Sequence, residues 1–341
     1  MTVNAAEYKN VLDAIRKGYK TGSITVGGDF EDPIRIPTGI LEIDSLIGGG
    51  IPMGRYTHIW GGYSSCKTLI ALNAIANAQK MGLTAVYYDL ENQFQKSWAE
   101  GVGVDCSEDK LTIINGSIVE EVCDVIESLL SVRHLHVIDS IGMGVTFPEL
   151  NAEPSAQFMG IVAKTWTAKL RAINSRFDMK DNAVIMINQS YQSMGMGGGE
   201  VPRGGNMIDL LSSLSINTKK SSWLYRDAKG NLSKDGKATS DFTGVAEPAG
   251  MEIVTKLTKN KVSVPKQLSA ARLRLEFGTN GQFDEIWTLT RAAIWNSLIE
   301  RNGSWYTLPD GERVQGEAGI RQFIEENESF KDLCRKTLQK T

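Results

Sequence analysis

The sequence predicts an α/β fold with a mostly parallel central sheet, and three observations carry that prediction. Residues 61–68, Gly61-Gly62-Tyr63-Ser64-Ser65-Cys66-Lys67-Thr68, make a glycine-rich turn that ends in Lys-Thr. An apolar run at 56–60 precedes it and a stretch with helical spacing at 69–79 follows it, which is the strand, loop and helix order of a phosphate-binding turn. Two further runs, 85–91 (AVYYDLE) and 135–140 (LHVIDS), are apolar until they reach carboxylates. Strands buried on both faces of a parallel sheet read in this continuous way and deliver their last side chains to the carboxyl edge, where ligands bind.

Along the chain, residues 8–19 carry apolar and basic side chains at helical spacing and predict an amino-terminal helix. In the phosphate turn, the amides of Ser64 to Thr68 are expected to face a β-phosphate at the positive end of the next helix. Lys67 would reach the β- and γ-phosphates and Thr68 would hold Mg²⁺. An ordinary Gly-Ser turn with a chance Lys-Thr is the bland alternative, and the flanking strand and helix weigh against it. The fault in the pattern is Cys66, which stands where a second glycine is usual. If φ is positive there, its Cβ costs stability. A thiol at a helix amino terminus can also be acidified, which predicts a minor oxidation switch. Asp139 is expected to hold Mg²⁺ through water, and Glu91 to polarise the attacking water, although a lone Glu is more often a solvated loop acid.

Residues 142–157 predict a mobile loop, followed by a basic helix at 158–175 carrying Lys164, Lys169 and Arg171. The run 183–189 (AVIMINQ) predicts another buried strand. Residues 190–206, rich in glycine and methionine and containing Arg203, predict a loop that orders on a ligand beyond that strand's carboxyl end. Residues 219–248 are rich in Lys, Asp, Gly and Ser and predict a hairpin turning near Asp227-Ala228-Lys229-Gly230.

With 341 residues, 41% of them hydrophobic, the chain suits a large domain with one or two satellites. No apolar stretch approaches a membrane span and residues 1–20 lack the apolar centre of a signal peptide, so a cytoplasmic protein with no membrane partner is expected. Cys66, Cys106, Cys123 and Cys334 show neither metal-ligand spacing nor a paired framework. His134 and His136 fall on one face of a buried strand, where packing outweighs metal binding as an expectation. The net charge of −3 counts against a strongly basic nucleic-acid binder and leaves local charge as the route to one.

In order and spacing the chain resembles the RecA recombinase family, its phage-encoded branch included, from about residue 11 to residue 338. The resemblance rests on Thr38-Gly39 through Asp44, Gly50-Ile51-Pro52-Met53-Gly54-Arg55, the phosphate turn, Tyr88-Asp89-Leu90-Glu91 and Val137-Ile138-Asp139-Ser140. Ile187-Asn188-Gln189, Gly204-Gly205-Asn206 and Lys259-Asn260-Lys261 complete it. It implies a RecA-like P-loop ATPase core over 31–280, an N-terminal packing helix and linker over 1–30, and a small α+β C-terminal domain over 281–341. It also implies an ATP- and Mg²⁺-dependent recombinase that forms a helical filament on single-stranded DNA. Such a protein pairs that strand with homologous duplex DNA and hydrolyses ATP under DNA stimulation. Single-strand-binding and loader proteins are candidate partners.

By the same resemblance, Glu91 is the catalytic glutamate, Gln189 senses the γ-phosphate, and Lys259 and Lys261 reach the ATP of a neighbouring protomer. Read without it, Lys-Asn-Lys is a solvated turn. Trp98 takes the aromatic place beside the adenine, and Gln95 replaces an acid at the base edge. Loop one spans about 147–157 and loop two about 190–206. Thr167, Arg171, Arg203, Gly204, Gly205 and Asn206 are the expected DNA-binding residues. Asp209 and Leu210 stand in place of the lysine and aromatic that bacterial members have at the protomer interface. Two other readings share the core: a ring-shaped replicative helicase, and a nucleotide-gated DNA-binding filament or mediator with little hydrolysis.

Overall fold

A computed structural model describes residues 4–18, 31–152, 160–175, 181–193, 199–203, 206–226, 232–234, 247–263, 270–278 and 281–340. The chain opens with α1 (Ala5–Gly18), on which Tyr8, Val11 and Ile15 form a stripe at helical spacing. That stripe is about half exposed and faces outward. β1 (Arg35–Ile36) and β2 (Ile51–Pro52) pair antiparallel around α2 (Leu41–Ile47).

The core then alternates strand and helix: β3 (Tyr56–Gly61), α3 (Lys67–Lys80), β4 (Thr84–Asp89), α4 (Lys96–Val102), β5 (Leu111–Asn115), α5 (Val119–Ser128) and β6 (His134–Asp139). After a short 3₁₀ turn come α6 (Phe147–Leu150), α7 (Ile161–Asn174), β7 (Asn182–Gln192), β8 (Glu200–Pro202), α8 (Asn206–Leu211) and β9 (Leu214–Arg226). β10 (Leu232–Ser233), β11 (Gly250–Asn260) and β12 (Ala270–Glu276) finish the sheet. Its order is β12-β11-β9-β3-β7-β6-β4-β5, parallel from β9 through β5 and antiparallel at the β11 and β12 edge.

The continuous apolar runs of the sequence exist because the parallel strands are covered on both faces. Ile59, Tyr87, Val137 and Ile185 point to a core with Leu69, Ile70 and Ile75 of α3. Their neighbours Val86, Tyr88, Ile138, Val184 and Met186 point the other way, to Val122 and Ile126 of α5 and Trp166 and Leu170 of α7. A strand's period of two sends alternate side chains to each core, so both sets must be apolar. His136 lies in this sheet as a packing residue. Its Nδ1 is 3.1 Å from the Tyr88 hydroxyl and its Nε2 is 3.0 Å from Asn182 Oδ1. Burial pushes its pKa down to about 4, so the ring stays neutral. The four cysteines are free, and among the described residues no group of His, Cys, Asp and Glu gathers to hold a metal. No described helix is long and apolar enough to cross a membrane.

Two expected loops contain more structure than their composition announced. The segment expected as loop from 142 holds the 3₁₀ turn and α6, while 153–159 lie outside the described residues. Loop two begins as an extension of β7 and returns as β8, with Ser190 opposite Pro202, Tyr191 opposite Val201 and Gln192 opposite Glu200. The ladder satisfies backbone groups that a glycine-rich loop would leave to water. The expected hairpin is present as β9 and β10, with Arg226 opposite Leu232; its turn falls outside the described residues.

At the carboxyl end, α9 (Glu285–Trp295), α10 (Gly316–Glu326) and α11 (Glu328–Lys340) pack with the three-stranded sheet β13 (Glu300–Asn302), β14 (Trp305–Thr307) and β15 (Arg313–Gln315). Leu289, Ile299, Tyr306, Ile320 and Phe330 form a separate small core there. The Ser45 hydroxyl donates to the Leu338 carbonyl at 2.6 Å and Thr288 donates to Glu42, tying this unit to α2. Burial raises the Glu42 carboxyl to about 7.

Candidate active site

The strand register gathers the predicted residues at one edge of the sheet. Gly61 stands opposite both Gln189 and Thr218, and Asp89 stands opposite Asp139. β3 and β9 approach so closely at this edge that a Cβ on Gly61 would lie 1.9 Å from the Thr218 carbonyl oxygen. Glycine is what lets the strand end there. The turn then takes left-handed backbone at Ser64, φ 54°, and Cys66, φ 66°. Alternation of this kind points successive amides into one concavity, a ready anion site at the start of α3. Ser65 pins the turn to β9: its hydroxyl donates to the Gly62 carbonyl at 2.8 Å and lies 2.9 Å from the Thr218 hydroxyl. Tyr63 is exposed at the tip.

Positive φ at Cys66 means the departure from glycine carries backbone strain. The oxidation switch expected of its thiol does not follow. The side chain packs against the α3 core, and burial pushes the thiol up to about 12, overriding the opposing charge of Lys67. A thiol that stays protonated at neutral pH is a poor nucleophile.

Lys67 folds back over the turn, donating from Nζ to the carbonyls of Gly61 at 3.1 Å and Gly62 at 2.7 Å. Burial lowers its pKa, while Asp139, Glu91 and Glu200 oppose that shift. The Thr68 and Tyr87 hydroxyls both donate to Asp139 Oδ2 at 2.7 Å. Burial raises the Asp139 pKa, and these two donors hold it back. Glu91 Oε1 accepts from the Ser140 hydroxyl at 2.6 Å and from Gln189 Nε2 at 3.1 Å. The Asp89 carboxylate takes the amides of Gln93 at 3.0 Å and Phe94 at 2.7 Å, fixing the turn that leads to Gln95 and Trp98. Trp98, partly exposed, lines one pocket with Thr68, Leu72, Tyr87, Glu91 and Asp139. A hydroxyl and a carboxylate set side by side at a phosphate turn suit a hard, oxygen-seeking cation such as Mg²⁺.

Sequence reasoning missed Tyr87, Ser140, Thr218 and Glu200, and anticipated Ser65 for its amide alone, not for its hydroxyl contact to Thr218. Tyr87 and Ser140 adjoin predicted acids, and that adjacency was the available signal. Thr218 and Glu200 reach the site only through strand pairing.

Other expected site residues lie elsewhere. Lys259 pairs with Ser215, which pairs with His58, three positions before Gly61. At about 3.3 Å per residue, that sets Lys259 roughly 10 Å back from the phosphate edge. Its Nζ caps α8, donating to the Leu210 carbonyl at 2.9 Å and to that of Asp209. Lys261 is exposed. The Asp209 carboxylate lies 3.5 Å from Nδ1 of the buried His58. On α7, Arg171 is exposed, whereas Thr167 is buried and donates its hydroxyl to the Ala163 carbonyl at 2.7 Å. To reach a DNA phosphate, that hydroxyl would have to leave the Ala163 carbonyl. Arg203 is exposed, and its amide donates to the Gln189 carbonyl at 2.9 Å. Gly204 and Gly205 lie outside the described residues, and Asn206 opens α8.

Comparison with known proteins agrees with this geometry. The family model described as the RecA N-terminal domain matches residues 6–280. Protein RecA of Fusobacterium nucleatum is 30% identical, over 97% of this chain and 83% of its own length. Protein RecA of Thermus aquaticus is 29% identical, over 97% and 93%. The mitochondrial DNA repair protein recA homolog 3 of Arabidopsis thaliana is 29% identical, over 97% and 74%. With a family match across most of its length and similarity to RecA proteins nearly end to end, this chain belongs to the RecA family.

Proposed function

We infer that this chain is an ATP-dependent DNA recombinase, a DNA-stimulated ATPase that polymerises on single-stranded DNA and exchanges strands with a homologous duplex. The observation that carries the reading is the contact between Glu91 and Gln189, 98 residues apart in sequence. It joins the acid placed to activate water to the residue from which loop two departs.

Lys67 exchanges the carbonyls of Gly61 and Gly62 for phosphate oxygens when ATP enters. Glu91, oriented by Ser140 and Gln189, takes a proton from the attacking water. Thr68 and Asp139 would hold Mg²⁺, which would supply positive charge against the phosphates. A change at Gln189 passes to loop two through the Arg203 amide on its carbonyl. Arg171 and Arg203 supply local positive charge for DNA phosphates, contacts that do not read sequence. The outward apolar stripe of α1 and the exposed Lys261, together with Lys259 once its ammonium leaves the α8 carbonyls, serve neighbouring protomers, so nucleotide binding and filament assembly are linked.

Phosphate release with ATP and Mg²⁺, with and without single-stranded DNA, tests this reading against Lys67→Ala and Glu91→Gln. DNA-stimulated turnover lost in both variants is expected. Turnover indifferent to DNA would sink the recombinase reading.

A further inference from the structure

Arg35, on β1, has no part in the roles above, yet its partly buried guanidinium binds backbone carbonyls from separate stretches of chain. Nη1 donates to Ile47 at 3.0 Å and to Gly50 at 3.3 Å, and Nη2 donates to Val262. Ile47 ends α2, where carbonyls lack helical partners and a cation is favoured. Val262 directly follows Lys261. The turn after α2 lies against the same place: Gly48 has φ 81°, and a Cβ there would stand 2.8 Å from Ser263 Cβ. Burial lowers the Arg35 pKa, and nearby Asp32 opposes that shift.

The turn that carries Lys261 is held from several sides. The Lys261 amide donates to the Ser213 carbonyl at 2.9 Å. Asn260 Oδ1 accepts the amides of Val262 at 3.0 Å and Ser263 at 3.1 Å, and Arg35 takes the Val262 carbonyl. The Lys261 side chain is left exposed on this fixed backbone. Its own nucleotide site is out of reach. The Ser213 amide donates to the Tyr56 carbonyl at 2.9 Å, and Tyr56 begins β3, which ends at Gly61. At about 3.3 Å per residue, that places the Lys261 backbone roughly 16 Å back from the phosphate edge, beyond the span of one lysine side chain. Backbone held this firmly around an exposed cation suits a group that acts on something outside its own chain.

Building on the reading that Lys261 serves a neighbouring protomer, we propose that Arg35 is a positioning residue for Lys261, clamping its turn to the end of α2 so that the ammonium meets the neighbour's phosphates in one placement. The planar fork of Arg35 reaches both segments at once, whereas a lysine in its place keeps the charge and offers a single ammonium. Loosening the clamp leaves Lys67, Thr68 and Asp139 of the same chain in place. The defect therefore appears at the neighbour's nucleotide, not at the chain's own.

The test is phosphate release on single-stranded DNA at saturating ATP and Mg²⁺. Each variant is measured alone and mixed with an equal amount of Glu91→Gln, which lacks turnover of its own but presents an intact Lys261. Arg35→Lys alone is expected to turn over about tenfold more slowly, with ATPγS affinity in the absence of DNA within about twofold of wild type. In the mixture about half of its sites face an intact Lys261, so turnover per Arg35→Lys chain is expected to rise about fivefold. A merely structural role for Arg35 would damage its own chain, and mixing would restore nothing. Asn260→Ala frees the same turn without touching Arg35; it is expected to show the same loss and the same rescue, and it carries the test if Arg35→Lys fails to fold. Lys261→Ala, mixed in the same way, checks the underlying reading and is expected to lose turnover and be rescued. Wild-type turnover in Arg35→Lys, or a loss that mixing does not rescue while that of Lys261→Ala is rescued, refutes the positioning role and leaves the recombinase reading standing. Full turnover in Lys261→Ala, or a loss there that mixing does not rescue, refutes the action of Lys261 across protomers and the positioning role with it.

Discussion

Replacing Cys66 by glycine and by alanine should separate backbone strain from packing in the phosphate turn. The φ of 66° and ψ of 20° at Cys66 are left-handed. There a Cβ crowds its own carbonyl at a cost of about 1–2 kcal/mol that glycine does not incur. Against this, the side chain packs on the α3 core, and burying its sulfur contributes about 1 kcal/mol. Cys66→Ala keeps the strain and loses the sulfur, so a loss of about 1 kcal/mol is expected. Cys66→Gly sheds the strain, while the freer unfolded glycine takes back about 0.4–1 kcal/mol. The glycine variant should therefore be more stable than the alanine variant by roughly 0.5–1 kcal/mol. Urea unfolding of the three proteins, compared by midpoint at common slope, resolves such a difference. If Cys66→Ala proves as stable as Cys66→Gly, the strain argument is wrong. Because burial holds the thiol at about 12, brief mild peroxide should leave wild-type turnover unchanged.

Gly61→Ala should prevent β3 from closing on β9, since the new Cβ would meet the Thr218 carbonyl oxygen at 1.9 Å. Overpacking against backbone costs about 1–3 kcal/mol or more, read as a lower melting temperature together with lost ATPγS binding. Tyr87→Phe deletes one of the two side-chain donors to Asp139 Oδ2, a charge-assisted bond worth about 1.5–3 kcal/mol. The Mg²⁺ concentration for half-maximal turnover should rise, and an unchanged requirement would separate Tyr87 from the metal site. Glu42 has its folded pKa, about 7, above the ordinary 4.5, so its ionisation opposes folding. The penalty is absent below the unfolded value, grows as pH rises, and is complete above about 7, where it is on the order of 3 kcal/mol. Glu42→Gln should raise the melting temperature at pH 8 and hardly change it at pH 4.5; equal gains at both would contradict the burial argument.

How far the sequence could be read depended on the range of each signal. Residues 85–89, 135–139 and 183–189 announced themselves as strands because two-sided burial demands an unbroken apolar run. Loop two hid its ribbon, since the glycines and methionines beyond Ser193 dominate its composition while pairing residues such as Tyr191 and Val201 are few. Thr167 was placed on the right helix, but whether it faces inward depends on how α7 packs against α5, which no local pattern states. The Cys66 thiol posed a contest between a helix terminus and burial, and only the packing beneath it settles the sign.

The sequence by itself determined the α/β class, the phosphate turn and the acids waiting at strand ends, because hydrophobic period and turn chemistry act within one element. Tertiary structure alone decided that Glu91 touches Gln189, that Tyr87 and Thr68 share one oxygen of Asp139, and that Lys259 caps α8 away from the phosphate edge. Those meetings are set by strand order and register, which depend on how both faces of the whole sheet are filled, and no single stretch of chain contains that information.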